Sequence, residues 1–385
     1  MDWVLRKFAY LYLKVVELLV NSIVFAYSVV HCKKSKNVQV KKIAAYWYTP
    51  IDLTGSNIRL GGWKKFFEND GFQYDNFYIN TLAECTAADN GSWTHRYLFF
   101  AKCLWRRLPQ ILNAHNYDVI WISRSIIPDY PRKTAYIEKR LRNVVCRLII
   151  DTTDGGDYSA NPKLMEDTLK QADEITVGFK FQMEMYGDRF KVNQIYWTIP
   201  TDNYIIKQEH KIKDIPIIGW MGSPTNFEQV RRLLPVLKKV RETHEFVFRY
   251  ICRKNLDTEL EGLNVEHHFY GDDYYDLIAS FDIGISPYLD VNIRTKGKIA
   301  MKHQEFLMCG IPQVCSNVAI SEFVETGRDV LIATTEQEWE SCITSLLDNE
   351  SQRIKLAENG KHIFNEYYLF ESQYEKLKST LTRIC

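Results

Sequence analysis

Hydrophobic residues fill the first thirty positions almost without a break and then recur in short, spaced runs, and the two patterns predict different things. Positions 3–30 are rich in Leu, Val, Ile, Phe and Tyr and hold no Pro or Gly. Wound as a helix, Arg6, Tyr10, Lys14, Glu17, Asn21 and Ser28 share one sector roughly 80° wide. Trp3 falls in that sector, Phe25 lies at its edge, and nearly all else is apolar. A narrow polar stripe beside a wide apolar face predicts a helix lying deep in a bilayer interface, with residues 1–31 meeting a membrane surface. The alternative is a helix packed on the protein's own surface. Lys14 and Glu17 leave too short an uncharged run for a span or a signal peptide. The basic run Lys33, Lys34, Lys36, Lys41 and Lys42 would keep the chain on the cytoplasmic side and can touch anionic headgroups. Its alternative is a solvated linker.

From position 42 onward the pattern changes. Strand-like runs at 43–48, 119–122, 148–150 and 174–177 predict strands in the first half. Runs at 217–220, 246–250, 283–286, 313–315 and 330–332 do so in the second. Helix-length segments separate them, and a polar loop at 49–55 follows the first. Such alternation predicts parallel sheets covered by helices, an α/β class. A chain of 385 residues suits two such domains rather than one. The expected organisation is a helix and basic linker at 1–36, one domain at 40–205, a second at 206–365, and a last helix at 366–385.

Charge and cysteine usage narrow the function classes. A net charge of +1 gives no global attraction to nucleic acid, so any anion site must be local. Nine scattered cysteines form no CxxC pair, which argues against a disulfide framework or a zinc site and suits reduced thiols in the cytoplasm.

Candidate chemistry concentrates in the second half. Pro216 to Pro224 reads as a buried strand entering a glycine turn, where Gly219 and Gly222 let backbone approach a ligand and Ser223 precedes a helix start. Further on, Arg294, Lys296, Lys298 and Lys302 crowd the start of a helix expected to begin near Lys298 and end at Cys309-Gly310. Cations there oppose the helix dipole, which makes sense if a bound diphosphate neutralises both. A solvated basic loop is the plainer account. Lys302 and Glu305 share a helix face, so one can meet phosphate while the other accepts from a ribose. A simple surface ion pair has the same spacing.

The run Gly297 to Lys302, Glu305-Phe306-Leu307 and Cys309-Gly310-Ile311-Pro312 resembles the donor-binding helix of family-4 retaining glycosyltransferases. Ile218 to Ser223, Phe281 to Pro287, Ser321-Glu322, Gly327 to Leu331 and Glu338-Trp339 follow the same group in order and spacing. In the first half, Gly55, Arg59, the 118–124 segment and the 149–154 segment resemble members that build bacterial surface polysaccharides. The likeness spans roughly residues 43–375. It implies a GT-B fold, two Rossmann-like domains facing each other across a cleft, beside the N-terminal amphipathic helix. The first domain would take the acceptor and the second the donor. Carried over, Lys302 would hold the donor diphosphate, Glu305 the ribose, and Gly55 and Gly222 would offer close backbone contact. A UDP- or GDP-sugar is then a substrate rather than a cofactor, with no metal, since no DxD-like pair stands beside the donor loop. The acceptor would be a glycan, met as a lipid-linked one at the inner face of the plasma membrane.

One departure stands out. Many members carry a Glu where this chain has Gly297, although some polysaccharide-type members lack it too, and Asp290 or Asn292 could contact the donor sugar in its place. Asp151, Asp154 and His95 are the candidate catalytic residues of the first domain, each with a turn-capping or surface role as its alternative. Arg59 and Arg124 can reach phosphates or acceptor, or form structural ion pairs. Two other functions fit the same sequence. One is a soluble GT-B enzyme on a small molecule, including a UDP-sugar epimerase, and the other is an inactive assembly partner.

Overall fold

The computed structural model describes residues 2–32, 39–48, 59–128, 130–152, 161–212, 214–297 and 300–383. Its backbone divides into two compact units, the first comprising 1–198 with 373–385 and the second 199–372.

Unit one is built on a six-stranded parallel sheet. Its strands are β1 (Lys42–Tyr46), β2 (Gln73–Phe77), β3 (Val119–Ser123), β4 (Arg147–Asp151), β5 (Glu174–Val177) and β6 (Val192–Gln194), in the order β2-β1-β3-β4-β5-β6. Every residue of β3, β4 and β5 is buried, as expected of parallel strands covered on both faces. The helices are α1 (Asp2–Val30), α2 (Lys64–Asn69), α3 (Leu82–Asn90), α4 (Trp93–Leu112), α5 (Tyr136–Val144), α6 (Pro162–Gln171) and α7 (Lys180–Tyr186). A capping box at Thr81 and Glu84 starts α3, and Ser92 Oγ accepts the His95 N–H at the start of α4.

Unit two repeats the plan. Strands β7 (Ile217–Met221), β8 (Val247–Ile251), β9 (Asn264–His268), β10 (Ile283–Ser286), β11 (Gln313–Cys315) and β12 (Leu331–Ile332) lie in the order β12-β11-β10-β7-β8-β9, all parallel. Its helices are α8 (Glu228–Arg241), α9 (Tyr274–Ala279), α10 (Ile293–Lys296), α11 (Met301–Cys309), α12 (Glu336–Asp348) and α13 (Glu350–Tyr367).

The last helix, α14 (Phe370–Thr382), belongs mostly to unit one. Leu377 and Leu381 are fully buried. The Tyr374 hydroxyl donates to Asp70 Oδ2 at 2.8 Å, and Lys378 Nζ reaches the same carboxylate at 2.7 Å. Arg147 Nη1 donates to the Thr380 carbonyl at 2.7 Å, which ties β4 to this helix.

Helix α1 departs from the simplest reading of its stripe. It packs lengthwise on unit one, chiefly against α4 and α5. Ala9, Leu13, Val16, Val20, Val24 and Tyr27 are buried, and most of them join the core cluster of the sheet. Lys14, Glu17 and Asn21 lie half-buried at one edge of this contact, with Lys14 Nζ 2.7 Å from Glu17 Oε2. The polar stripe therefore flanks the protein contact instead of forming the outer face. The outer face is apolar: Val4, Phe8, Leu11, Val15, Leu18, Leu19 and Val29 are all exposed, Phe8 and Leu18 by about two-thirds. An exposed apolar strip of this length is unusual on a water-facing helix and marks a contact surface. Of the basic run that follows, Lys33, Lys34 and Lys36 lie outside the described residues. The backbone N–H groups of Lys41 and Lys42 both donate to Asp118 Oδ2.

Candidate donor site

Strand β7 ends at Met221 and the chain turns through Gly222 and Ser223 into a short 3-10 turn, Pro224–Phe227, that leads into α8. The two glycines of this segment do different work. A Cβ at Gly219 would lie 2.1 Å from the Phe281 ring, so Gly219 makes room for core packing and not for a ligand. A Cβ at Gly222 would lie 2.8 Å from the Trp220 indole and 3.3 Å from Lys302 Nζ. At this second position the bare backbone stands directly beside a buried cation. Ser223 is exposed, and its hydroxyl pairs with Thr225 Oγ1 at 2.9 Å.

Helix α11 brings that cation in. It starts at Met301 rather than near Lys298, because residues 293–296 form a separate short helix and the chain turns at Gly297. It ends at Gly310, whose left-handed conformation (φ 69°) suits glycine. Lys302 and Glu305 are 6% and 5% exposed, so the bland reading of a surface ion pair fails. Lys302 Nζ sits 4.5 Å from the Trp220 ring centroid and 5.5 Å from that of Tyr288, close enough for cation–π attraction. Glu305 Oε1 accepts from the Tyr204 hydroxyl and, at 3.1 Å, from that of Tyr274. Burial pushes the Glu305 pKa up, opposed by those two hydroxyls and by the charge of Lys302. The same Tyr274 hydroxyl lies 3.4 Å from Met221 Sδ, and the Tyr270 phenol contacts the Gly222 backbone. A buried ammonium, a carboxylate three residues on, and an open backbone turn can together recognise a phosphate and a vicinal diol.

Of the rest of the proposed basic cluster, only the Lys296 side chain is described. Lys296 is exposed, Lys298 lies outside the described residues, and for Arg294 only the backbone is described. Gly297 is buried. Asp290 is exposed, while Asn292 is taken up in capping α10, accepting from the Thr295 N–H at 3.2 Å. In unit one, Gly55 and Asp154 lie outside the described residues. Arg59 and Asp151 pair with each other at no more than 1% side-chain exposure, Nη2 to Oδ1 at 2.7 Å. Arg59 also donates to the Ile195 carbonyl, and Thr176 to Asp151 at 2.5 Å. These contacts make them a buried pair that ties Arg59 to β4 and β5, and not a catalytic group open to substrate. His95 is exposed on the first turn of α4. Arg124 follows β3 at φ 64°, a left-handed conformation that is strained for a non-glycine residue. Of the residues around Lys302 and Glu305, Trp220 lies in the 218–223 segment, whereas Tyr204, Tyr270, Tyr274 and Tyr288 carry no motif; their only signal is the tyrosine density of 270–275.

His303 beside the site provides a pH test. Its Nδ1 lies 2.8 Å from Gln313 Oε1, and its Nε2 has no partner among the described residues. Burial drives its pKa down to about 4. A pKa depressed in the fold contributes stability above the unfolded value and loses it as pH falls towards the folded one. The protein is expected to lose on the order of 3 kcal/mol from this residue between pH 7 and pH 4. Urea unfolding at both pH values should show a smaller loss in His303→Gln; an equal loss would show that His303 is not the group responsible.

Residues 231–379 match the family model described as glycosyl transferase-like. No curated protein sequence matches the chain. A glycosyltransferase from Rickettsia africae is 11% identical, covering 90% of this chain and 99% of its own at a TM-score of 0.63. The Anabaena protein HepE, solved with UDP and glucose, is 12% identical over 89% and 99% of the two chains at 0.58. The lipopolysaccharide outer core galactosyltransferase WaaB, in apo form, is 12% identical over 88% and 98% at 0.62. At such identities the likeness establishes the architecture alone.

Proposed function

We propose that this chain, a glycosyltransferase of the GT-B fold, moves a sugar from a UDP- or GDP-sugar to a lipid-linked glycan at the inner face of the plasma membrane, in building a cell-surface polysaccharide. The observation that carries the donor side is the pairing of Lys302 and Glu305, both buried, against the bare backbone of Gly222. HepE supports the choice of donor class, since it was solved with UDP and glucose. Lys302 would neutralise the departing diphosphate, which is where negative charge grows as the sugar–phosphate bond breaks. Glu305 would hold the ribose hydroxyls, exchanging its bond from Tyr204 for one from the ligand. Transfer with retention fits a leaving phosphate that accepts the acceptor's proton on the face where the new glycosidic bond forms. No cofactor or metal is called for beyond the donor itself.

The membrane side rests on α1. Its outer face is apolar apart from Lys7 and Ser22, and its inner face is docked on unit one from Ala9 to Tyr27. Docked in this way, it suits lying in the plane of a membrane rather than crossing it, although its length and composition alone would permit a span.

The direct test is a thermal-shift screen of the full-length protein with UDP-, GDP- and ADP-sugars. A ligand at 100 times its Kd stabilises the folded state by about 2.7 kcal/mol. UDP- or GDP-sugars are expected to raise Tm in wild type and not in Lys302→Met. No shift with any nucleotide sugar would overturn the donor assignment.

A further inference from the structure

We infer that unit one carries a binding site for the phosphate or diphosphate headgroup of a membrane lipid, in the cavity bounded by Arg96, Arg132 and Lys133. The inference rests on the membrane reading of α1 but not on the donor site.

The cavity has a volume of about 540 Å³. It lies among segments that follow the carboxyl ends of β2, β3 and β4, the usual place for ligands in a parallel α/β sheet. Besides the three cations it is lined by Asp89, Asn161 and two prolines of the 128–131 segment. Its floor is preorganised. Asn161 Nδ2 donates to the carbonyls of Tyr130 and Arg132, at 3.3 and 3.1 Å, while its Oδ1 caps α6. Arg132 is 8% exposed and bonds Glu138 Oε1 at 2.5 Å, and its Nε and Glu138 Oε2 both lack a partner among the described residues. A buried guanidinium with an unused donor is costly unless an acceptor arrives. Glu138 pairs with Arg132, while Arg96 and Lys133 make no ion pair among the described residues. Asp89 is also suited to accept from a sugar hydroxyl next to the phosphate.

Two contacts place this cavity beside the polar stripe of α1. Trp93 is flanked by Arg96 at 4.8 Å and by Arg6 of α1 at 5.8 Å. Tyr130, between the two prolines, has Lys14 of α1 5.9 Å from its ring and Glu17 beside its phenol. The stripe therefore borders the cavity, and the apolar sector of α1 turns outward from it. A helix sunk by its apolar face sets the groups along its polar edge among the lipid headgroups. The exposed Trp3, capped by Lys7 at 3.8 Å, and the Arg-flanked Trp93 form the aromatic and basic rim that suits this depth. An apolar face bordered by cations favours an anionic lipid surface over a second copy of the same basic-rimmed helix.

The test is vesicle sedimentation of the full-length protein with three compositions. These are pure phosphatidylcholine, the same with phosphatidic acid, and the same with phosphatidylserine at matched surface charge. Wild type should bind phosphatidic acid vesicles at least fivefold more tightly than phosphatidylserine vesicles. Arg96→Gln combined with Lys133→Gln should lose that preference while keeping its binding to phosphatidylcholine and its melting temperature. Leu11→Glu combined with Leu18→Glu should lose binding to all three. Equal binding to the two anionic lipids, or an unchanged preference in the Arg96/Lys133 variant, overturns the headgroup site while leaving membrane association intact. Undiminished binding of the Leu11/Leu18 variant overturns the membrane reading itself. Inorganic pyrophosphate is titrated in parallel without vesicles. Saturation there at a lower concentration than phosphatidic acid in vesicles would mark a site for a free anion and overturn the lipid assignment.

Discussion

Replacing Lys302 with methionine is expected to reduce kcat/KM for sugar transfer by about 10²–10³-fold, the usual effect of removing one group that meets developing charge. The fold should survive the change. Methionine keeps the apolar stem against Trp220 and Tyr288, so little volume is lost. What disappears is a cation–π contact of about 0.5–2 kcal/mol and a buried charge whose desolvation opposed folding. Glu305 keeps its two tyrosine hydroxyls and, with its pKa already raised by burial, can take up a proton when its cationic neighbour goes. Initial rates with the donor found by thermal shift, measured beside the unfolding curve, separate the two effects. Wild-type turnover in this variant would remove Lys302 from the chemistry. An unfolded variant would assign it to the core.

Deleting residues 1–31 should have an effect of the opposite kind: loss of unit one rather than release of a soluble enzyme. Leu13, Val16, Val20 and Val24 are each at most 2% exposed within the core cluster. At about 1.5–3 kcal/mol for each fully buried aliphatic side chain, their loss amounts to about 6–12 kcal/mol. That is comparable to the whole stability of a typical domain. The truncated chain is expected to aggregate or to unfold without cooperativity, seen by circular dichroism and size exclusion. A truncated protein that melts at the wild-type temperature would show that the helix is an accessory. Changes confined to the outer face are therefore the proper probe of membrane attachment.

How much of this was legible depended on how deeply each element is buried. The central strands β3, β4, β7 and β10 hold largely apolar runs because helices cover both their faces, and β5 shows through its β-branched residues. Gln73–Phe77, Val192–Gln194 and Asn264–His268 were not visible in the hydrophobic pattern. All three are edge strands, only partly buried, and their polar residues leave no run to detect. Helix α11 was recognisable from Lys302, Glu305 and the Gly310 stop. Its true start was not, since a basic stretch gives no local reason for the turn at Gly297. Arg59 and Asp151 stand 92 positions apart, and nothing in the sequence pairs a possible phosphate ligand with a possible catalytic acid into one buried lock. The stripe of α1 was correctly seen as narrow. That it would flank the protein contact and leave the wide apolar face outside follows from the surface it docks against, which no helical wheel contains.

The closing of unit one by α14 bears on the order in which the chain is completed during synthesis. Residues 199–372 emerge from the ribosome whole and can settle while 1–198 still lacks Leu377, Leu381 and the partner of Arg147. The unit that is translated first is thus completed after the second, and its nascent form must persist until residues 373–385 arrive.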